Sequence, residues 1–63
     1  MGAPVLMTMA EVAEITRVPV ATLRFYRYLG TKGPKSALIG GRVMYRDTDV
    51  QEWINAQFEQ SNE

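Results

Sequence analysis

The sequence predicts a mostly helical α+β fold, a winged helix-turn-helix: two short helices joined by a turn, a two-stranded hairpin wing and a closing helix. Three observations predict it. Thr8-Met9-Ala10-Glu11 is a capping box, in which each side chain satisfies a backbone N–H at the other's position, so a helix starts there. Val18 to Gly30 holds a second short helix, with Pro19 at or just before its first turn and Gly30 where a left-handed residue closes it. Gly40-Gly41 separates two short apolar runs, and paired glycines supply the positive φ values of a tight hairpin.

Taken in order, residues 1–6 read as a flexible N-terminal arm, residues 7–58 as the folded domain and residues 59–63 as a frayed tail. The first helix runs from Met9 to about Thr16. Met9, Val12 and Ile15 form its inner stripe, Glu11 and Glu14 face water, and Ala13 is small enough for a close helix crossing. Met7 and Val12 occupy hydrophobic-staple positions. Thr16-Arg17-Val18-Pro19 is the turn, and Val18 is the apolar residue that pins it to the core. Such turns usually carry Gly first and Ser as the next cap; here Arg17 and Pro19 stand there.

On a helical wheel the second helix puts Val20, Leu23 and Tyr26 on one side and Ala21, Arg24, Phe25 and Tyr28 on the other. Thr31 to Ser36 is a loop with Gly33-Pro34 and two lysines. The strand-like runs are Ala37–Ile39 and Val43–Tyr45. A two-residue loop places Leu38, Val43 and Tyr45 on one face; a three-residue loop places Ala37, Ile39, Val43 and Tyr45 there. The second buries more apolar surface and is the expected one, with Arg42 at the tip. The last helix starts near Asp47, favoured by Asp47, Thr48 and Asp49, with Thr48 and Gln51 as a further capping box. Val50, Trp53, Ile54, Gln57 and Phe58 follow helical spacing and form its core stripe. Trp53 reads as core rather than as a stacking platform, because acids flank it.

At 63 residues the chain is one domain, and it has neither cysteine nor histidine, so disulfides and histidine- or cysteine-based metal sites are excluded. A chain of this size buries only about 60% of its unfolded surface. No stretch approaches a membrane span, and the apolar run at Ala3–Met7 is short, broken by Pro4 and without a basic leader. A cytoplasmic location is the expectation. No cofactor is implied. An enzyme is not expected, since Asp47 and Asp49 are explained as a helix start.

The net charge of zero hides a segregation. Arg17, Arg24, Arg27, Lys32, Lys35, Arg42 and Arg46 all lie in a window, residues 17–46, that holds no Asp or Glu; the seven acids lie outside it. A +7 block between acidic ends points to a polyanionic partner. A helix face of Arg, aromatics and one small residue suits close approach to a DNA groove. An arginine beside glycines at a hairpin tip suits a minor groove or its phosphates.

Three segments resemble the MerR-like winged-helix superfamily. Met7-Thr8-Met9-Ala10-Glu11-Val12-Ala13 resembles its opening helix. Thr22-Leu23-Arg24-Phe25-Tyr26 resembles its T-[IL]-R-[YF]-Y recognition-helix signature. Gly40-Gly41-Arg42-Val43-Met44-Tyr45-Arg46, followed by Asp49-Val50 and Trp53-Ile54, resembles its wing and closing helix. The sequence ends at position 63 without the heptads of a dimerisation helix, and in this it is most similar to small phage excisionases of the mycobacteriophage type, the recombination directionality factors. The resemblance implies binding and bending of attachment-site DNA, often at several adjacent sites, so that a tyrosine integrase excises rather than integrates. It implies that Thr22, Arg24 and Phe25 lie in the major groove, Tyr26 near a phosphate, and Arg42, with Gly40 and Gly41, at the wing.

The recognition-helix set is then Ala21, Thr22, Arg24, Phe25, Tyr26, Arg27 and Tyr28. Arg24 is the candidate for a bidentate guanine contact and Phe25 for a thymine methyl. Arg17, Arg27, Lys32, Lys35 and Arg46 are the candidate phosphate contacts. A domain this small makes a limited interface alone, so copies are expected side by side on double-stranded DNA, the acidic last helix of one meeting the basic block of the next. A small MerR/AlpA-like transcriptional regulator would carry the same surface, and the sequence does not separate the two. A protein-interaction module, using exposed Phe25 and Tyr28 as its hot spot, is the alternative from another class.

Overall fold

The computed structural model describes residues 5–61. Among them are six elements in the order β1 (Leu6–Thr8), α1 (Met9–Thr16), α2 (Val20–Leu29), β2 (Ser36–Ile39), β3 (Arg42–Arg46) and α3 (Asp47–Gln60). The fold is the expected mostly helical winged helix-turn-helix, with one strand more than the sequence reading supplies. β3 is central in an antiparallel sheet of order β1-β3-β2. Leu6, expected in the arm, is the first residue of β1 and pairs with Arg46. Residues 1–4 of that arm lie outside the described residues. Asp47 fastens the incoming chain: the Val5 amide donates to its carboxylate Oδ1 at 3.1 Å, and its own amide donates to the Val5 carbonyl at 2.9 Å.

α1 starts as its capping box requires. The Glu11 amide donates to Thr8 Oγ1 at 3.2 Å, and the Thr8 amide donates to Glu11 Oε1 at 2.8 Å. The staple residues Met7 and Val12 are both buried. They join Leu23, Tyr45 and Val50 in the core, against which Met9, Ala13, Val18, Tyr26, Val43 and Ile54 pack. Ile15 does not belong to this stripe; it is 57% exposed. The inward row is Met9, Val12, Ala13 and Thr16, the i, i+3, i+4, i+7 spacing, which leaves Ile15 on the flank.

The turn closes at Arg17, which has φ 64° and donates its amide to the Ala13 carbonyl at 2.8 Å. It is the one non-glycine residue with positive φ among the described residues. The left-handed conformation costs a side-chain-bearing residue about 1–2 kcal/mol, and glycine returns part of that gain through its larger unfolded-state entropy. Arg17→Gly is therefore expected to stabilise the domain by up to about 1 kcal/mol, read as a higher urea midpoint at unchanged slope. Pro19 caps α2 with its carbonyl, accepting from the amides of Thr22 at 2.9 Å and Leu23 at 3.0 Å. Gly30, at φ 77°, closes the helix by donating to the Tyr26 carbonyl at 3.0 Å.

The hairpin takes the register that was not expected. Leu38 pairs with Val43 and Ile39 with Arg42, so the loop is Gly40-Gly41 alone, at φ 58° and 83°. Positive φ at both central residues is the two-residue turn whose twist matches the strands, and it decides the register. The apolar count could not: Leu38 and Ile39 are 63% and 48% exposed, so burial of either was not at stake. Arg42 is the first residue of β3 rather than the tip itself.

Three expectations for α3 are also corrected. Its cap is Arg46, without a side-chain cap bond, so Thr48 lies inside the first turn and makes no box with Gln51. Phe58 is 77% exposed and Gln57 is exposed too, while Trp53 is half-buried and outside the buried cluster; only Val50 is fully inward. The helix continues through Glu59 and Gln60, which were read as tail, and residues 62 and 63 lie outside the described residues. Past Ile54, among the described residues, only Ala56 is partly buried; Gln57 and Gln60 line an open concavity with Tyr26, Thr31 and Lys32, and Phe58 lines one with Ile15 and Val18.

Tyr45 is the largest fully buried side chain. Burial raises its phenol pKa above the ordinary value of 10.0, and the nearby charge of Arg27 partly offsets this. The folded state thus favours the neutral phenol. Its contribution to stability is complete below pH 10 and is lost as pH rises through the raised folded-state value. Urea unfolding from pH 8 to 11 is expected to show a loss of stability above about pH 10 that Tyr45→Phe removes.

Candidate nucleic-acid interface

α2 is amphipathic because its sequence alternates what the core accepts with what it does not. Leu23 is buried and Val20 and Tyr26 are half-buried. Ala21, Arg24, Phe25 and Tyr28 are all exposed, with Phe25 at 56% and Tyr28 at 84%. The helix contains no acid. Its outward face is thus one cation among aromatic rings, with Ala21 leaving room at the amino-terminal end for close approach. Thr22 is half-buried at the edge of this face. Tyr26 belongs to the inner side and packs against the core. Backbone also presses on it: a side chain at Gly33 would meet Tyr26 Cβ at 3.0 Å and Cδ2 at 3.1 Å, so only glycine lets the 31–35 loop curl against the ring. Pro34, next in that loop, is buried.

This curl gathers cations. Arg27, Lys32 and Lys35 line one open concavity with Tyr26, Thr31 and Ser36. The Arg27 Nε donates to Ser36 Oγ at 3.1 Å, tying the last turn of α2 to the start of β2. That bond joins two residues in the same acid-free window, and sequence alone held no sign of it. Arg42 stands exposed beside the glycine turn. Two cations differ from the rest. Arg17 lies at the turn between α1 and α2, beside Glu14, Ala13 and Pro19. Arg46 Nε donates to Asp49 Oδ2 at 2.7 Å, the only ion pair among the described residues. The i, i+3 spacing of Arg46 and Asp49 was the available signal for that pair.

The acids collect elsewhere. Glu11 and Glu14 lie on α1 and Asp47, Asp49, Glu52 and Glu59 on α3, two helices that carry no Lys or Arg. The segregation along the chain is therefore a segregation between elements. Over the described residues no group of three or more His, Cys, Asp or Glu is arranged to hold a metal, and no helix is long and apolar enough to cross a membrane.

A family model for the helix-turn-helix domain matches residues 6–57, most of the chain. The chain belongs to this helix-turn-helix domain family. Double-stranded DNA is the partner such a domain serves, its second helix lying in the major groove and its first crossing the backbone. In this helix-turn-helix domain α2 occupies the second-helix position and α1 the first, and the exposed cationic and aromatic face lies on α2. No curated protein and no solved structure is significantly similar to the chain.

Proposed function

We propose that this helix-turn-helix domain is a MerR-like phage excisionase: it binds and bends attachment-site DNA at several adjacent sites and so directs a tyrosine integrase toward excision. The observation that carries DNA recognition is the exposed, acid-free face of α2, with Arg24 set among Ala21, Phe25 and Tyr28. Thr22, Tyr26, Arg27 and Tyr28 complete the recognition set, and Gly40, Gly41 and Arg42 form the wing contact. Arg17, Arg27, Lys32, Lys35 and Arg46 hold phosphates, Arg46 after exchanging its bond to Asp49. The excisionase assignment comes from the resemblance of the signature segments. A cytoplasmic location goes with that role.

Phosphate contacts release counterions, so about five of them give a log–log salt slope of roughly −4 to −5. Arg46→Gln is expected to change that slope least, because its charge is already partly met by Asp49. Titrations at several salt concentrations check both.

The test of the function is a gel shift on the attachment-site region against a scrambled duplex, followed by an excision assay with integrase. A ladder of discrete complexes and integrase-dependent excision support the proposal. Preferential binding at a promoter, without effect on excision, reassigns the same surface to a small transcriptional regulator. Failure to bind duplex above a neutral control protein overturns the DNA reading and directs the search to protein partners of Phe25 and Tyr28.

A further inference from the structure

We propose that Ile39, set beside Arg42 on the wing, is an apolar wedge that presses into a base step from the minor groove and holds the duplex bent. The proposal rests on the DNA-binding reading and supplies a physical origin for the bend.

The two-residue turn places the pair. Ile39 and Arg42 are direct cross-strand partners on either side of Gly40-Gly41, so their side chains emerge on the same face of the hairpin. Two glycines make the end of the hairpin bare backbone, the thinnest tip a β-ribbon can have. A minor groove is only about 6 Å wide, and a tip without side chains is what lets the following residues reach it. Arg42 is exposed and is drawn to the negative potential of a narrow minor groove. Ile39 is 48% exposed, in a domain with only five buried core residues. The core leaves its branched side chain outside, directly across from Arg42 at the end of the hairpin, while Lys35 and Arg46 line the groove on its other side. Aliphatic side chains inserted between base pairs unstack them and kink the duplex by roughly 20–90°.

Leu38 is more exposed, at 63%, but pairs with Val43 on the opposite face, away from Arg42. It serves as the internal control. A wedge also has a sequence consequence. Pyrimidine–purine steps unstack most easily, so the base step under the wing should be one of these although no polar group reads it.

The experiment uses duplexes selected from a random pool by the wild-type protein. The bend is measured by energy transfer between end labels, and unstacking by 2-aminopurine fluorescence at each step of the selected site. Ile39→Thr keeps a β-branched residue in the strand while removing the apolar tip, and Ile39→Val shortens it by one carbon. Thermal unfolding confirms that each variant is folded at the assay temperature. The wild type is expected to bend its site and raise 2-aminopurine fluorescence at one step. Ile39→Thr is expected to lose at least about half of the bend and most of that signal, with Kd weakened by less than about tenfold. Ile39→Val should fall between, and Leu38→Thr should match the wild type. A wild-type bend in Ile39→Thr overturns the wedge, as does a wild type that binds tightly to straight DNA; in both cases the DNA-binding reading stands. A wild type that selects no duplex removes that reading and the wedge with it.

Discussion

Leu23→Ala is expected to lower the melting temperature by roughly 10–40 °C and to leave a large unfolded population at 37 °C. Leu23 is 1% exposed and is the only fully buried residue that α2 gives to the core. Truncating a buried leucine costs about 2–5 kcal/mol, part lost transfer energy and part cavity. A 63-residue domain has in total about 3–9 kcal/mol to lose. With four other buried side chains there is little neighbouring mass to collapse into the void. Thermal unfolding followed by circular dichroism checks this. A drop below about 5 °C would mean that α2 is held by something other than its inner face.

Arg24→Ala, one position further along, is expected to do the opposite: melting within a few degrees of wild type, and loss of sequence preference on DNA. Arg24 is exposed, and no described residue pairs with it, so its removal leaves no hole and no orphaned partner. A bidentate arginine–guanine contact discriminates by about 1–3 kcal/mol, which is roughly 5- to 150-fold in Kd. The loss should be confined to the cognate duplex and centred on one base pair, visible as equal affinity for duplexes substituted there. Arg24→Lys should recover little, because an ammonium cannot present the planar fork. Lys32→Ala and Lys35→Ala should instead weaken all duplexes alike, as loss of phosphate contacts does. Uniform weakening by Arg24→Ala would place that side chain on the backbone rather than on a base.

These neighbouring residues show which features can be read from sequence. Local signals were sufficient where the determinant is local. The Thr8–Glu11 box, the Pro19 start and Gly30 end of α2, and the division of that helix into Leu23 and Arg24 faces each lie within one or two turns of chain. β1 was missed because nothing in Leu6-Met7-Thr8 marks a three-residue strand; its partner Tyr45 is 38 positions away, and only the fold brings them together. Ile15 and Phe58 were placed inside because helical spacing says which residues share a face, not how much protein stands opposite it. The two instead line one concavity with Val18, Trp53 and Ile54, which stays open and leaves both exposed. The hairpin register went astray for a related reason. Counting apolar residues assumes that the sheet buries them, whereas Gly40-Gly41 fixes the pairing regardless. Of the candidate interface, the exposed face of α2 was legible; the Arg46–Asp49 pair had only its i, i+3 spacing to announce it, and the Arg27–Ser36 bond had no sequence signal. Those last two depend on which polar groups the folded chain brings within reach.

β3 ends at Arg46 and α3 begins at Asp47, with no residue between them. In the free protein the joint is held by the Arg46–Asp49 ion pair and by the two bonds between Val5 and Asp47, of which the Val5 bonds do not involve Arg46. Strand and helix therefore follow one another without a linker, with the hairpin turn at one end and Gln60 at the other. With no linker to take up the movement, a displacement of the wing on binding is expected to be felt in α3. Trp53, the chain's single tryptophan, sits half-buried on α3, and its emission is expected to shift when DNA is bound at the wing.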